Sequence, residues 1–164
     1  QIRDHTPPKS KSTHLKILLS KMDKINCGND TNIAPVLHKT ADMIKQKGLI
    51  ILISDLLDNP NEVISGLKHF RYKGHEVVVF HIIDYQEWNL DFNHNIRFQD
   101  IETEEEIITQ PWHIKKDYKK SLSDFCNNYK EKFRVNQIDY VKLLTNQPLD
   151  LALSEYLVKR KRIL

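Results

Sequence analysis

The chain has 164 residues, 40% hydrophobic and 29% charged, with a formal net charge of +3. That length suits one domain able to bury roughly 70% of the surface its unfolded chain exposes, and Lys, Arg, Asp and Glu are interspersed over most of it, which argues against a uniform basic field for nucleic acid. No apolar run approaches the roughly 20 residues that cross a bilayer, and the first residues do not read as a signal peptide.

Cys27 and Cys126 lie apart with no CxxC pairing, so both are expected to be free thiols in a reducing cytoplasm. The chain opens with Gln1 rather than Met, as a piece cut from a longer protein would. Residues 1–12, with Pro7-Pro8 and Lys9-Ser10-Lys11-Ser12, read as an extended connector on the surface. From Thr13 to about Ile25 the residues Leu15, Leu18, Leu19, Met22 and Ile25 recur at helical spacing. The segment Cys27-Gly28-Asn29-Asp30-Thr31-Asn32 interrupts that pattern. A second helix is predicted from Ile33 to Gln46, with Pro35 in its first turn and Ile33, Val36, Leu37, Ala41 and Ile44 on one stripe. Thr31 therefore falls in the loop before a helix N-terminus, where Asp30, Thr31 and Asn32 are all good caps.

The run Leu49 to Ile53 is unbroken aliphatic sequence, opened by Lys47-Gly48 and closed by Ser54-Asp55. It reads as a central strand of a parallel sheet, buried on both faces. Ser54 and Asp55 then sit at the strand's carboxyl end, the edge at which open α/β sheets bind ligands. Asp58-Asn59-Pro60 reads as a turn and helix start, and Val63, Ile64, Leu67 and Phe70 mark the buried face of a helix ending near Gly74. A second buried strand, His75 to Ile83, ends in Asp84. Residues 87–110, with Phe92, Ile96, Phe98, Ile107 and Ile108 around acidic residues 102–106, read as a β-hairpin excursion whose tip is a solvated turn. A third unit follows. A helical stripe of Tyr118, Leu122, Phe125, Cys126, Tyr129 and Phe133 leads into the strand Ile138 to Leu144 and then Thr145. A last helix, from about Pro148 to Arg162, carries Leu149, Ala152, Leu153, Tyr156 and Leu157 on one face, and its terminal Lys159-Arg160-Lys161-Arg162 reads as a cationic helix end. Three helix-to-strand units with short connections predict a mostly parallel sheet with helices on both faces.

Several polar residues have a structural reading. His81, inside an apolar strand, reads as a hydrogen-bonded core residue, and Trp88 and Trp112 as packing for the hairpin region. Asp84 reads as a cap, and Asp55 has the alternative of accepting backbone N–H groups of its own loop.

The ordered motifs Gly28-Asn29-Asp30-Thr31, Lys47 through Asp55, Gly74-His75-Glu76-Val77-Val78, His81 through Asp84 with Glu87, Phe98-Gln99-Asp100-Ile101-Glu102-Thr103, Tyr118, Leu144-Thr145, Leu157 and Arg160 together resemble the bacterial domain-of-unknown-function family 58. The resemblance runs over nearly the whole chain from Thr6. It implies a von Willebrand factor A-like fold, with residues 13–164 as the C-terminal portion of such a domain and its first strands absent. Domains of that type carry a metal-ion-dependent adhesion site, in which an Asp-x-Ser-x-Ser loop, a threonine and an aspartate hold Mg²⁺. Thr31 matches the threonine and Asp55 the aspartate, with Ser54 beside it. Hydroxyls and a carboxylate are the hard oxygen ligands that Mg²⁺ takes. No Asp-x-Ser-x-Ser occurs in this sequence, so Mg²⁺ is expected to be held weakly or not at all. The strand 49–53 is expected to lack a neighbour, leaving an apolar edge open to self-association.

The resemblance implies a non-enzymatic protein-interaction module working with a MoxR-type AAA+ ATPase in protein assembly or maturation. The alternative is a metal-dependent hydrolase or phosphotransfer enzyme using the strand-end carboxylates Asp55, Asp84 and Glu87. No phosphate-cradling glycine loop and no histidine-carboxylate metal motif accompanies them.

Overall fold

Parallel strands need crossovers, and this chain supplies a helix for each. The computed structural model describes residues 13–24, 33–91, 96–99, 106–109 and 111–161, together with residues 2, 4–7, 9 and 11 of the leading segment. The order is α1 (Thr13–Met22), α2 (Ile33–Met43), β1 (Leu49–Ser54), α3 (Pro60–Tyr72), β2 (Glu76–Ile83), α4 (Tyr85–Asn89), β3 (Ile96–Gln99), β4 (Glu106–Thr109), α5 (Pro111–Val135), β5 (Asp139–Leu144) and α6 (Leu149–Lys161). Strands β1, β2 and β5 form a parallel sheet in that spatial order. Leu49 stands opposite Glu76 and Ser54 opposite His81, while Val78 stands opposite Asp139 and Ile83 opposite Leu144. β3 and β4 pair antiparallel, Ile96 opposite Thr109, as the expected hairpin requires. Residues 100–105 of its tip lie outside the described residues.

Local chemistry sets the starts and stops. Asn59 caps α3 by accepting the Asn61 N–H at 3.0 Å, and Pro60 fills the first helical position, where a missing N–H costs nothing. After α3 the chain reverses at Gly74, whose φ of 83° only glycine adopts without strain. The buried ring of His75 then accepts the Gly48 N–H through Nδ1 at 3.2 Å, tying the entry of β1 to that of β2.

One face of the sheet carries most of the core. Leu37 and Ala41 of α2, Val63, Leu67 and Phe70 of α3, and Tyr129 and Phe133 of α5 close over Val77 and Val79, with Ile50 and Leu52 packed against them. The stripes expected for α3 and α5 are the residues that fill this layer. The opposite face is covered more thinly. Val78, Phe80 and Leu143 pack with Tyr156 of α6, whose ring meets Phe80 edge-on at 5.7 Å, and Arg160 pairs with Glu76. Helices therefore lie on both faces, but unequally.

Two expectations require correction. The run 49–53 is not a central strand buried on both faces. Among the described strands it is an edge strand, with Leu49, Ile51 and Ile53 exposed at 39%, 53% and 67%, and the central position belongs to β2, where Val77 to Phe80 are all buried. The physical reason is coverage: α6 overlies β2 and β5 only, so the outward side chains of β1 have nothing above them. For the same reason the expected apolar face of α6 is mostly uncovered, with Tyr156 buried but Leu149, Leu153 and Leu157 exposed. α1 also buries no residue. Lys21 at its end holds Asp4 at 2.8 Å and Thr6 at 3.0 Å, linking it to the leading segment. No helix among the described residues is long and apolar enough to cross a membrane.

Candidate functional site

The carboxyl ends of β1, β2 and β5 converge on one edge of the sheet. At the end of β1, Ser54 Oγ accepts the Leu56 N–H at 3.1 Å, and Asp55 Oδ1 accepts the Leu57 N–H at 3.3 Å. The expected local use of Asp55 is therefore present. Between them Leu56 takes a left-handed backbone, φ 59°, which is uncommon for a non-glycine residue. Leu56 is fully buried, and its carbonyl accepts the Tyr129 hydroxyl at 3.1 Å. Burial and that bond hold the strained turn in place, while Asp55 remains exposed and Leu57 projects 73% exposed beside it.

Asp58 does more than start a helix. Its Oδ2 accepts the Ile33 N–H of α2 at 2.7 Å, so the first turn of α2 is seated on the loop that follows β1. Thr31, two residues earlier, lies outside the described residues, as does Cys27.

Behind Ser54 lies His81, fully buried. Its Nδ1 is 2.7 Å from the Tyr140 hydroxyl, and Phe125 and Tyr129 pack edge-on against its ring. The other ring nitrogen, Nε2, has no hydrogen-bond partner. The expectation of a hydrogen-bonded core histidine is thus met at one nitrogen only. Burial pushes the His81 pKa below the ordinary histidine value, against the backbone and charge of neighbouring Asp55. Cys126, a free thiol buried in the same layer, is pushed up by its own burial.

At the end of β2, Asp84 caps α4 by accepting the Gln86 N–H at 2.8 Å and also accepts the Thr145 hydroxyl at 2.9 Å. These two bonds, the amide first, hold its carboxyl below the usual carboxylate range. The capping role read from the sequence is the one observed. Glu87 accepts the Tyr118 hydroxyl at 2.6 Å, and burial together with that carboxylate pushes the phenol well up. Trp88 carries the Lys142 ammonium 3.5 Å from its ring centroid, a cation–π contact rather than a bound ligand. The side chain of Trp112 lies outside the described residues.

Asp55, Asp84 and Glu87 thus share one edge of the sheet, but each is engaged by a different local partner. Among the described residues no group of three His, Cys, Asp or Glu side chains could hold a metal ion. Ser54 and Asp55 offer one hydroxyl and one carboxylate, and Ser54 Oγ already accepts a backbone N–H. Mg²⁺ requires about six oxygens in near-octahedral order; these two residues do not form such a site by themselves. A cavity of about 950 Å³ lies elsewhere, between the leading segment and the C-terminal half of α2, lined by Asp4, Thr6, Val36, Thr40 and Ile44.

Sequence patterns do not reveal the anchoring of this edge. Leu56, Asp58 and Tyr129 act through contacts made 25 or more residues away in the chain, and only the pairing of a buried tyrosine with a loop after an apolar strand hints at them.

A family model described as "Protein of unknown function DUF58" matches residues 1–125. No curated protein and no solved structure is matched.

Proposed function

This chain belongs to the DUF58 family, and we propose that it is a non-enzymatic protein-interaction module of von Willebrand factor A-like fold that docks a partner at the carboxyl edge of its sheet. The observation that carries this reading is the loop 54–57. An exposed carboxylate stands beside an exposed leucine on a turn whose next residue is locked into the core. Such a loop presents a charge and an apolar contact at fixed positions, which lowers the ordering cost of association. In this reading Asp55, Ser54 and Thr31 belong to a partial metal-ion-dependent adhesion site. This chain alone holds Mg²⁺ weakly or not at all, and a carboxylate from the partner adds to the oxygen set. The partner is a MoxR-type AAA+ ATPase, the setting is the cytoplasm, and the role is assembly or maturation of other proteins. The enzyme reading has less support, because Asp84 and Glu87 are each occupied by a separate structural contact.

The test is association of the chain with a MoxR-type ATPase, followed by biolayer interferometry with and without Mg²⁺. Asp55→Ala is expected to weaken the complex at least about 10-fold, roughly 1.4 kcal/mol, with an unchanged far-UV circular dichroism spectrum. Equal binding by Asp55→Ala and the unaltered chain sinks the proposed docking edge.

A further inference from the structure

Helices α2 and α3 run parallel and are pinned at both ends. At their N-terminal ends the Ile33 N–H donates to Asp58. At their C-terminal ends Lys73 Nζ donates to the Ala41 carbonyl at 2.8 Å and to Asp42 at 2.9 Å. Midway, Gly66 lies hard against Leu37. Between the midpoint and the C-terminal pin, His38 of α2 faces His69 of α3, Nδ1 to Nδ1 at 3.3 Å, with ring centroids 5.5 Å apart. The second nitrogen of His69, Nε2, lies 3.5 Å from Asp42 Oδ1.

The proton inventory of this cluster is restrictive. Two imidazole nitrogens facing each other share at most one proton when both rings are neutral. Asp42 Oδ1 already accepts from Lys73 and lies 3.5 Å from His69 Nε2, a charge neighbour of that nitrogen and not its hydrogen-bond partner; with His69 protonated on Nε2, its Nδ1 is a lone pair directed at His38. When His38 also carries its proton on Nε2, two lone pairs face one another. A cation relieves that opposition.

The spacing suits one. Two nitrogens each about 2.0–2.1 Å from a tetrahedral Zn²⁺ are about 3.3 Å apart, and the observed separation is 3.3 Å. Asp42, 3.5 Å from His69 Nε2, is near enough to serve as the outer carboxylate that commonly orients a metal-bound histidine once the ring turns toward it. Imidazole nitrogens select borderline cations of the zinc and copper class over Mg²⁺.

We propose that His38 and His69 form a two-histidine site for a Zn²⁺- or Cu²⁺-class cation, bound through both Nδ1 atoms across the α2–α3 interface. The cation lies off the line joining the nitrogens, reached by a small rotation of each ring, and water fills the remaining positions. Its effect is to staple α2 to α3, the two helices whose first turns share the loop after β1. The site is independent of Asp55, and its failure leaves the docking proposal untouched.

The experiment is titration of the whole chain with Cu²⁺, and separately with Zn²⁺, for the unaltered protein, His38→Gln, His69→Gln and the double variant. The difference between proteins isolates this pair from the other six histidines in the sequence. One equivalent of cation is expected to bind the unaltered chain at least about 10-fold more tightly than either single variant. Electron paramagnetic resonance of the Cu²⁺ form is expected to show two coordinated nitrogens. Excess Mg²⁺ is expected not to compete, Asp42→Asn to bind about 10-fold more weakly, and Asp55→Ala to bind as the unaltered chain does. Retention of the tight equivalent in a folded double variant overturns the proposal. A Cu²⁺ spectrum without two nitrogens does the same. Should either glutamine variant fail to fold, His38→Asn and His69→Asn provide the same comparison, and retention of the tight equivalent and its two-nitrogen spectrum in both overturns the proposal.

Discussion

His81 concentrates the physics of the candidate edge in one side chain. It is fully buried beneath Ser54 and Asp55, with one nitrogen bonded to Tyr140 and the other unpartnered. A buried imidazole without a partner for its second nitrogen resists protonation, because a charge there has no water and no full counter-bond. Its folded pKa is accordingly depressed. Above about pH 6.5, the ordinary histidine value, the ring is neutral in both states and stability is unaffected. As pH falls below that value the unfolded chain takes up a proton that the folded chain refuses, so stability declines until the depressed folded pKa is reached. The urea midpoint is therefore expected to be lower at about pH 5.5 than at about pH 7.5. In His81→Asn, which keeps a polar group for Tyr140, the decline is expected to shrink. An equal decline in both proteins refutes the assignment of this pH response to His81.

At the scale of elements, Gly66 of α3 sets a close approach of that helix to Leu37 of α2. A Cβ built on Gly66 would lie 2.7 Å from the Leu37 Cβ, an atom fixed to the backbone and unable to swing aside. Alanine in a helix interior gains up to about 1 kcal/mol over glycine in propensity, while forcing a methyl into a filled interface costs about 1–3 kcal/mol. The second effect prevails, and Gly66→Ala is expected to lower stability in urea unfolding. Adding Leu37→Ala is expected not to restore it, since the obstructing Cβ remains; full recovery would show that only the leucine tip stood in the way. Much of this layer was legible in the sequence: the α3 stripe of Val63, Ile64, Leu67 and Phe70, and the α5 stripe of Cys126, Tyr129 and Phe133, are buried as periodicity predicts. The open edge of β1 was expected from the family resemblance and is observed, but the exposure of its outward face was not legible, because five consecutive aliphatic residues look the same in a strand covered on both faces as in one with an uncovered face. Only the neighbours decide, and those are set by α6, whose own stripe also reads as buried and is largely exposed. The site was legible at Asp55 and Asp84, whose roles are local turns and caps. It was not legible at Leu56 and Asp58, which depend on partners distant in the chain, nor at His38 and His69, which belong to different helices.

Across the described residues as a whole the decisive feature is the outer edge of β1. No described strand pairs with it, so it presents a row of backbone donors and acceptors next to exposed Leu49, Ile51 and Ile53. An apolar edge strand of this kind invites pairing with another chain, and this strand is complementary to itself. In a two-fold antiparallel pairing centred on Ile51, Leu49 lies opposite Ile53 of the second copy, and Lys47 lies opposite its Asp55. Both charged residues are exposed. Hydrophobic cross-strand neighbours and an opposite-charge pair at each end favour that register, and the resulting dimer joins two three-stranded sheets into one. Sedimentation velocity is expected to show a dimer that grows with concentration. Ile51→Lys places two ammonium groups opposite one another at the two-fold axis and is expected to leave a monomer with unaltered secondary structure. Lys47→Asp sets two carboxylates together and is expected to weaken the dimer, and adding Asp55→Lys restores the opposite-charge pairs and with them the association. A wild-type chain that stays monomeric at every concentration, or an Ile51→Lys chain that dimerises as readily, removes β1 as the interface.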